Sequence, residues 1–337
     1  MNNHVFGIDL GTGNIKIYSL ADDSILSEKN MVAVMRKNTL LAYGDAAFEM
    51  FEKAPANIRV SHPLNNGVIA DINDMQTVLK NFIGELTEGR NSSPDFYVAV
   101  PTDVTEVEKR AFYDLIKDAN VKAHRIMMVE KSIADGLGMD IDVKNSQGIL
   151  IVDVGYETTE ISVLSLGGIV LSKLIKTGGR KFDETIRGVV RKEFSLIIGE
   201  KTAEQVKLNL LDLEAQKLPA VVYGRDIVTG LPVERSVPTD LIDTALAEVS
   251  SGIVDHIKLI LERTPPELGA DIYRHGIYLT GGSAQLMHLD ELIVRGTNLK
   301  VNKAVDSQNS VALGLARVIK DAAFRTLAYS LTDMSEE

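Results

Sequence analysis

Val5-Phe6-Gly7-Ile8-Asp9-Leu10-Gly11 and, later in the chain, Ile149-Leu150-Ile151-Val152-Asp153-Val154-Gly155 are one pattern written twice: a run of strand-forming apolar residues that ends in Asp-x-Gly. Each copy continues into a tight turn and a return strand with alternation, Ile15-Lys16-Ile17-Tyr18 in the first and Glu160-Ile161-Ser162-Val163 in the second. Self-similarity on this scale implies two related lobes. Between and after the copies, residues 74–86 carry apolar side chains at three and four spacing, residues 105–119 begin with a capping candidate, and residues 239–262 form a long amphipathic stretch, so helices alternate with strands and the class is α/β.

Smaller signals complete the outline. Residues 87–94 read as a polar loop, and residues 217–238 as a small hairpin whose β-rich arms, Ala220-Val221-Val222-Tyr223 and Asp226-Ile227-Val228, flank Gly224-Arg225. Pro265-Pro266-Glu267-Leu268 ends a helix, and Gly276-Ile277-Tyr278-Leu279-Thr280-Gly281-Gly282-Ser283 reads as a strand leaving into a glycine turn that opens a helix.

A length of 337 residues exceeds what one core fills, about 250 to 300 residues, and suits a two-lobed body. With 45% hydrophobic and 25% charged residues the composition is that of a globular chain, and no window approaches the roughly 18 apolar residues of a membrane span. The start, Met1-Asn2-Asn3-His4, lacks a basic region and an apolar signal core, and there is no cysteine, which fits a reducing cytoplasm and excludes disulfide and thiolate chemistry. A net charge of -11 argues against nucleic acid as a partner. His4, His62, His124, His256, His275 and His288 show no metal-ligand spacing.

A strand that delivers Asp into Gly11-Thr12-Gly13-Asn14 gathers backbone N-H groups and a hydroxyl at one point, where glycine lets an anion approach the backbone. One such turn is as easily a conformational hairpin. Two of them, each with an Asp suited to the water shell of Mg²⁺, plus a third Gly-Gly-Ser turn, make a nucleotide cleft the more economical reading.

Those stretches, together with Asn65-Asn66-Gly67-Val68-Ile69-Ala70-Asp71, Thr158-Thr159-Glu160, Gly199-Glu200, Thr202-Ala203-Glu204, Pro265-Pro266-Glu267-Leu268 and Leu279-Thr280-Gly281-Gly282, resemble the motifs of the MreB family of bacterial actin homologues, in the family's order and almost end to end. The resemblance implies the duplicated ribonuclease-H-like fold of actin, Hsp70 and sugar kinases, with subdomain IA at residues 1–31, 66–145 and 311–337, IB at 32–65, IIA at 146–180 and 245–310, and IIB at 181–244. It implies a cytoplasmic filament-forming protein that binds ATP or ADP with Mg²⁺ and helps determine cell shape by organising cell-wall synthesis. Its expected partners are copies of itself, other MreB paralogues, RodZ, MreC and MreD.

Carried over by position, Thr12, Gly13 and Asn14 would contact the β- and γ-phosphates. Lys16 would either touch them too or be an exposed strand lysine. Asp9 and Asp153 would hold Mg²⁺ through water, and Gly155 and Thr158 would belong to the second phosphate loop. Glu204 and Lys207 would lie over the nucleoside, although one helical turn of separation also suits an ordinary ion pair. Gly281, Gly282, Ser283, Ala284 and Gln285 would line the nucleotide from the third turn.

Two departures fall on hydrolysis. In MreB the second loop runs Asp-x-Gly-Gly-Gly-Thr-Thr-Glu, whereas here Tyr156 and Glu157 replace its middle and third glycines. In Val129-Glu130-Lys131-Ser132, where MreB has Ile-Glu-Glu-Pro, Lys131 stands at the water-orienting carboxylate. A protonated lysine accepts no proton, and Glu130 is one helical step, about 100°, out of place. Glu130 and Lys131 are therefore the candidate catalytic positions, with ATP binding retained and hydrolysis slow or absent. The alternative function is a non-hydrolysing adaptor or modulator that co-assembles with another MreB. A sugar kinase lacks a catalytic-base motif here, and a chaperone of the Hsp70 type would need a peptide-binding domain.

Attachment to the inner face of the cell membrane finds little support. The loop Gly89-Arg90-Asn91-Ser92-Ser93-Pro94 is polar, Met31 to Met35 and Phe48 to Phe51 read as core of the small subdomain, and residues 322–329 read as a packed terminal helix rather than a docking stripe.

Overall fold

The computed structural model describes residues 4–35, 39–89 and 92–331. The start of the chain before His4, and Arg90 and Asn91 of the polar loop, lie outside them.

The two Asp-x-Gly strands, Val5–Leu10 and Ile149–Val154, are the central strands of two five-stranded sheets. In the first sheet the order is Ser24–Lys29, Asn14–Ser19, Val5–Leu10, Asp95–Val100, Arg125–Glu130. In the second it is Gly168–Ile175, Thr159–Ser165, Ile149–Val154, Ile277–Thr280, Val301–Lys303. Both are an antiparallel meander of three strands extended by two parallel ones. The repeat seen in one dimension is thus a repeat of topology. Their central strands are nearly continuous in apolar residues because both faces are covered, and each lobe has its own core.

Two helices join the lobes. Lys131–Gly138 leaves the first sheet and packs on Ile149–Val154 of the second, while Ser310–Lys320 leaves the second and packs on Val5–Leu10 of the first. They touch backbone to backbone: a Cβ on Gly138 would strike the Ser310 carbonyl and one on Gly314 the Ala134 carbonyl. A third core of Tyr97, Val129, Leu137, Ile151, Leu164 and Leu315 fills the space between sheets and helices. With the Asp residues at the carboxyl ends of their strands, both turns open into the same crevice, where ligands of open α/β sheets bind.

Each lobe carries a small extra sheet. Thr39–Tyr43, Val32–Met35 and Ile58–Ser61 form one, over a cluster of Met31, Ala33 and Ala47 against Phe48 and Phe51, as the apolar spacing implies. Leu196–Ile197, Ala220–Asp226 and Pro232–Val237 form the other. Here the sequence reading places the hairpin turn too early. The strand runs straight through Gly224-Arg225, and the chain reverses at residues 227–231, where Asp226 Oδ1 accepts from the N-H groups of Val228 and Thr229.

Other expectations also shift. The helices expected at 74–86, 105–119 and 239–262 are Ile72–Leu86, Glu106–Asp118 behind a Thr105–Glu108 capping box, and Thr239–Arg263. Pro265-Pro266 separates two helices, since Pro266 occupies the first turn of Pro266–His275, where a missing N-H costs nothing. The Gly-Gly-Ser turn opens only a short 3₁₀ segment, Gly282–Gln285. No terminal α-helix forms at residues 322–329. The chain makes a 3₁₀ turn at Arg325–Leu327, then Tyr329 bridges Met128 and donates its hydroxyl to Glu130 at 2.9 Å.

Candidate functional site

The crevice encloses about 290 Å³ and is lined by all three glycine turns. In the first, Gly11-Thr12-Gly13 is pinned from behind by Asn30, whose N-H donates to Gly13 O at 2.9 Å and whose amide donates to Gly11 O at 2.9 Å. Register places Asp9 opposite Lys16 on the return strand, and Lys16 Nζ lies 3.3 Å from Asp9 Oδ2. Lys16 faces the crevice and is no exposed strand lysine.

In the second turn the Gly155 carbonyl accepts from Gly179 N at 3.0 Å and from Ser283 Oγ at 2.8 Å, and the Tyr156 carbonyl accepts from Arg180 N at 2.7 Å. The start of helix Gly179–Phe194 and the third turn therefore both buttress this loop. Gly281 holds φ +91 against Asp153, where a Cβ would strike Asp153 Oδ1 and the Val154 carbonyl.

The two residues that replace glycines do different things. Glu157 also borders the cavity but is buried, and its carboxylate takes Arg180 Nη1 at 2.5 Å and the N-H of Asn66. Asn66 and Gly67 have φ of +51° and +79°, a type I′ turn that points this N-H across the cleft. Tyr156 stays in the cleft. Its ring root lies over Gly13, so that a Cβ on Gly13 would be 2.8 Å from Tyr156 Cβ and Cγ. The ring also contacts His62 at 5.7 Å between centroids, and its hydroxyl donates to Glu200 Oε1 at 2.8 Å. Burial first, and then the Glu200 carboxylate, raise the Tyr156 pKa, so it stays a neutral donor.

Lys131 opens the crossing helix and reaches the second turn, with Nζ 2.6 Å from Asp153 Oδ2. Burial would lower its pKa, but Asp153, Asp9, Asp135 and Glu160 outweigh burial and raise it. Glu160, on the strand after the second turn, is pushed up to about 7 by burial, with Lys131 and the Thr102 N-H opposing. Asp135, one turn beyond Lys131, has its pKa raised well above the ordinary aspartate value by burial and then by Asp153; its Oδ1 accepts from Ser310 Oγ at 2.6 Å. Glu130 faces away and binds Lys109 and Tyr329, each at 2.9 Å, so it does not line the crevice.

Glu204 and Lys207 line the cavity, but their charges go elsewhere than to each other. Glu204 meets Lys29 of the first lobe at 3.0 Å, and Lys207 meets Asp183 at 2.8 Å, whose carboxyl burial pushes up to about 6 against the pull of Lys207. Nearby, Glu52 of the first lobe accepts from Glu200 N at 2.9 Å, placing a carboxylate at the positive end of helix Glu200–Ala215.

Of the sequence-derived site residues, Asp9, Thr12, Gly13, Asn14, Lys16, Lys131, Asp153, Gly155, Thr158, Glu204, Lys207, Gly281, Gly282 and Ser283 line one cavity. Ala284 is buried beneath it, and Gln285 turns its amide to Ser307 Oγ at 3.4 Å. Ser307, Gln308 and Ser310 also line it and carry no motif that would have marked them.

Four lysines and the Thr12 and Thr158 hydroxyls suit an anionic phosphate chain. The same site does not fit a Mg²⁺ water shell on Asp9 and Asp153. Asp9 is paired with Lys16 and Asp153 with Lys131.

The family model described as MreB/Mbl protein matches residues 3–326. The cell shape-determining protein Mbl of Bacillus subtilis (strain 168) is 37% identical over 312 residues, covering 91% of this chain and 93% of that protein. The crystal structure of MreB5 of Spiroplasma citri bound to ADP is 33% identical with a TM-score of 0.88, over 97% of this chain and 98% of that one. Its AMPPNP-bound form gives 32% and 0.87 over the same shares. The MamK double helical filament, at 20% identity and TM-score 0.77 over 95% of this chain and 99% of that chain, shares the fold.

Proposed function

Because this chain belongs to the MreB/Mbl family, we propose that it is an actin-like, nucleotide-binding cytoskeletal protein that polymerises with copies of itself and helps determine cell shape by organising cell-wall synthesis. The observation that carries the reading is the pair of Asp-x-Gly turns opening from equivalent strands into one cleft rich in lysine and hydroxyl groups. ATP and ADP are the proposed ligands, since MreB5 was solved with ADP and with AMPPNP. In this reading Thr12, Gly13 and Asn14 present the first turn to the phosphates, Lys16 and Lys131 neutralise them, Gly155, Thr158 and Ser283 form the facing wall, and Glu204 and Lys207 flank the nucleoside. Residues 32–65 and 181–244 would form the two smaller subdomains, IB and IIB.

Hydrolysis is proposed to be slow or absent. Lys131 stands where a carboxylate would orient water, its charge is held by Asp153, and no group at its place can accept a proton. The second reading, an adaptor that co-assembles with another MreB without cycling nucleotide, is favoured by the same ion pair. No helix among the described residues is long and apolar enough to cross a membrane. A cytoplasmic location and partners such as RodZ, MreC and MreD are proposed on the family's account alone.

Electron microscopy of the purified chain with ATP, ADP and AMPPNP separates these readings. Filaments of the chain alone support a polymerising protein, and their presence in every nucleotide state supports a scaffold without a hydrolysis clock. Monomers that polymerise only when a second MreB is added select the adaptor. Failure to bind any adenine nucleotide removes both.

A further inference from the structure

A divalent ion in a nucleotide site supplies two positive charges beside the terminal phosphates, and the carboxylates expected to hold its water shell are Asp9 and Asp153. Both carboxylates already have cations. Lys16 Nζ lies 3.3 Å from Asp9 and Lys131 Nζ 2.6 Å from Asp153, and both lysines line the cavity next to the glycine turns. Two ammonium groups carry the charge of one Mg²⁺. Lys131 Nζ meets the Oδ2 edge of Asp153, so the ammonium group occupies the flank of the carboxylate from which the water shell of an ion would be held. Of the other acids that line the cavity, Glu157 is paired with Arg180 and Glu204 with Lys29, while Glu160 accepts the Thr102 N-H; Asp135 is bonded to Ser310. Among the described residues, no group of three or more His, Asp or Glu side chains is placed to hold a metal ion.

We propose that Lys131, with Lys16, replaces the divalent cation in this site, so that the chain binds nucleoside di- and triphosphates without Mg²⁺. A lysine is fixed to the fold and cannot leave with the product, so charge neutralisation is permanent and independent of divalent ion concentration. It also follows that the residue that impairs water activation is the one that makes the metal dispensable.

The proposal rests on nucleotide binding, and the test separates the two. Calorimetric titration of the full chain with ATP is carried out in EDTA and in excess Mg²⁺. The expected result is measurable binding in both, with affinities within about threefold, less than the 1.4 kcal/mol of a tenfold change. Wild-type affinity that falls by more than about threefold in EDTA overturns the proposal while leaving nucleotide binding intact. Binding in neither buffer overturns the nucleotide reading and the proposal together. Lys131→Glu and the milder Lys131→Gln sharpen the outcome: each should bind ATP at least about tenfold more weakly in EDTA than in Mg²⁺. Equal affinities in the two buffers for Lys131→Gln, checked for folding by circular dichroism, would show that Lys131 is not the substitute.

Discussion

If Tyr156 fastens the two phosphate turns together, adding one methyl group to Gly13 should be costly only while Tyr156 is present. A Cβ at Gly13 would lie 2.8 Å from Tyr156 Cβ and Cγ and 3.1 Å from Cδ1. Carbon atoms pack best at about 3.5–4.0 Å, so one loop must retreat by roughly 0.7 Å. Ring rotation gives no relief, because Cβ and Cγ sit at the root of the side chain. The ring is also held at its far end by the Glu200 hydrogen bond and against His62. Overpacking of this kind costs about 1–3 kcal/mol, and Gly13→Ala should lower the melting temperature by a few degrees. In a Tyr156→Gly background the same substitution should be neutral, or stabilising by up to about 1 kcal/mol, because Gly13 is not among the positive-φ glycines and alanine restricts the unfolded chain. The double-mutant cycle therefore carries a coupling energy of about 1–4 kcal/mol, read by urea unfolding or scanning fluorimetry without nucleotide. Equal losses in the two backgrounds would refute the contact between the turns.

Three further outcomes follow from the same geometry. Lys131→Glu restores a carboxylate at the water-orienting position and should raise steady-state phosphate release in Mg²⁺ by about tenfold or more; unchanged turnover would mean that Tyr156 and Glu157 impose the block. Glu160 is pushed up from an ordinary value of 4.5 to about 7, so between these pH values the folded state holds a proton the unfolded state has lost. Stability therefore falls as pH rises through this window, by about 3 kcal/mol at most, and is level above it; Glu160→Gln should flatten that slope in chemical unfolding from pH 4.5 to 7. Arg180→Ala leaves Glu157 buried with only the Asn66 N-H as partner, and because Arg180 is itself partly exposed the loss should be about 2 kcal/mol, recovered when Glu157→Gly is added.

The first level of organisation was legible because the strand and turn chemistry is local. Asp9-Leu10-Gly11 and Asp153-Val154-Gly155 fix the ends of two central strands, and the register that sets Asp9 opposite Lys16 follows from a tight turn. What crosses between lobes was not legible. Glu157 reads as a charge aimed at phosphate until Asn66 and Arg180, from two different elements, are seen to take it. Lys131 reads as a lost carboxylate, and only the path of the crossing helix brings it to Asp153. Glu204 and Lys207 share a helical face, yet tertiary partners at closer range, Lys29 and Asp183, win each of them. The misplaced hairpin turn has a similar cause, since Gly224 passes close against the Ile197 carbonyl within a strand and Asp226 supplies the turn. The C-terminal segment gives up helix for a bridge to Met128, a contact that periodicity cannot anticipate.

The central claim is that this cleft holds ATP in a polymer without using it quickly. The most direct test is to assemble the chain with γ-labelled ATP in Mg²⁺, sediment the polymer and follow the fraction of bound nucleotide still triphosphate. The account predicts that pelleted filaments retain ATP long after assembly is complete. Release of phosphate in step with assembly would contradict it.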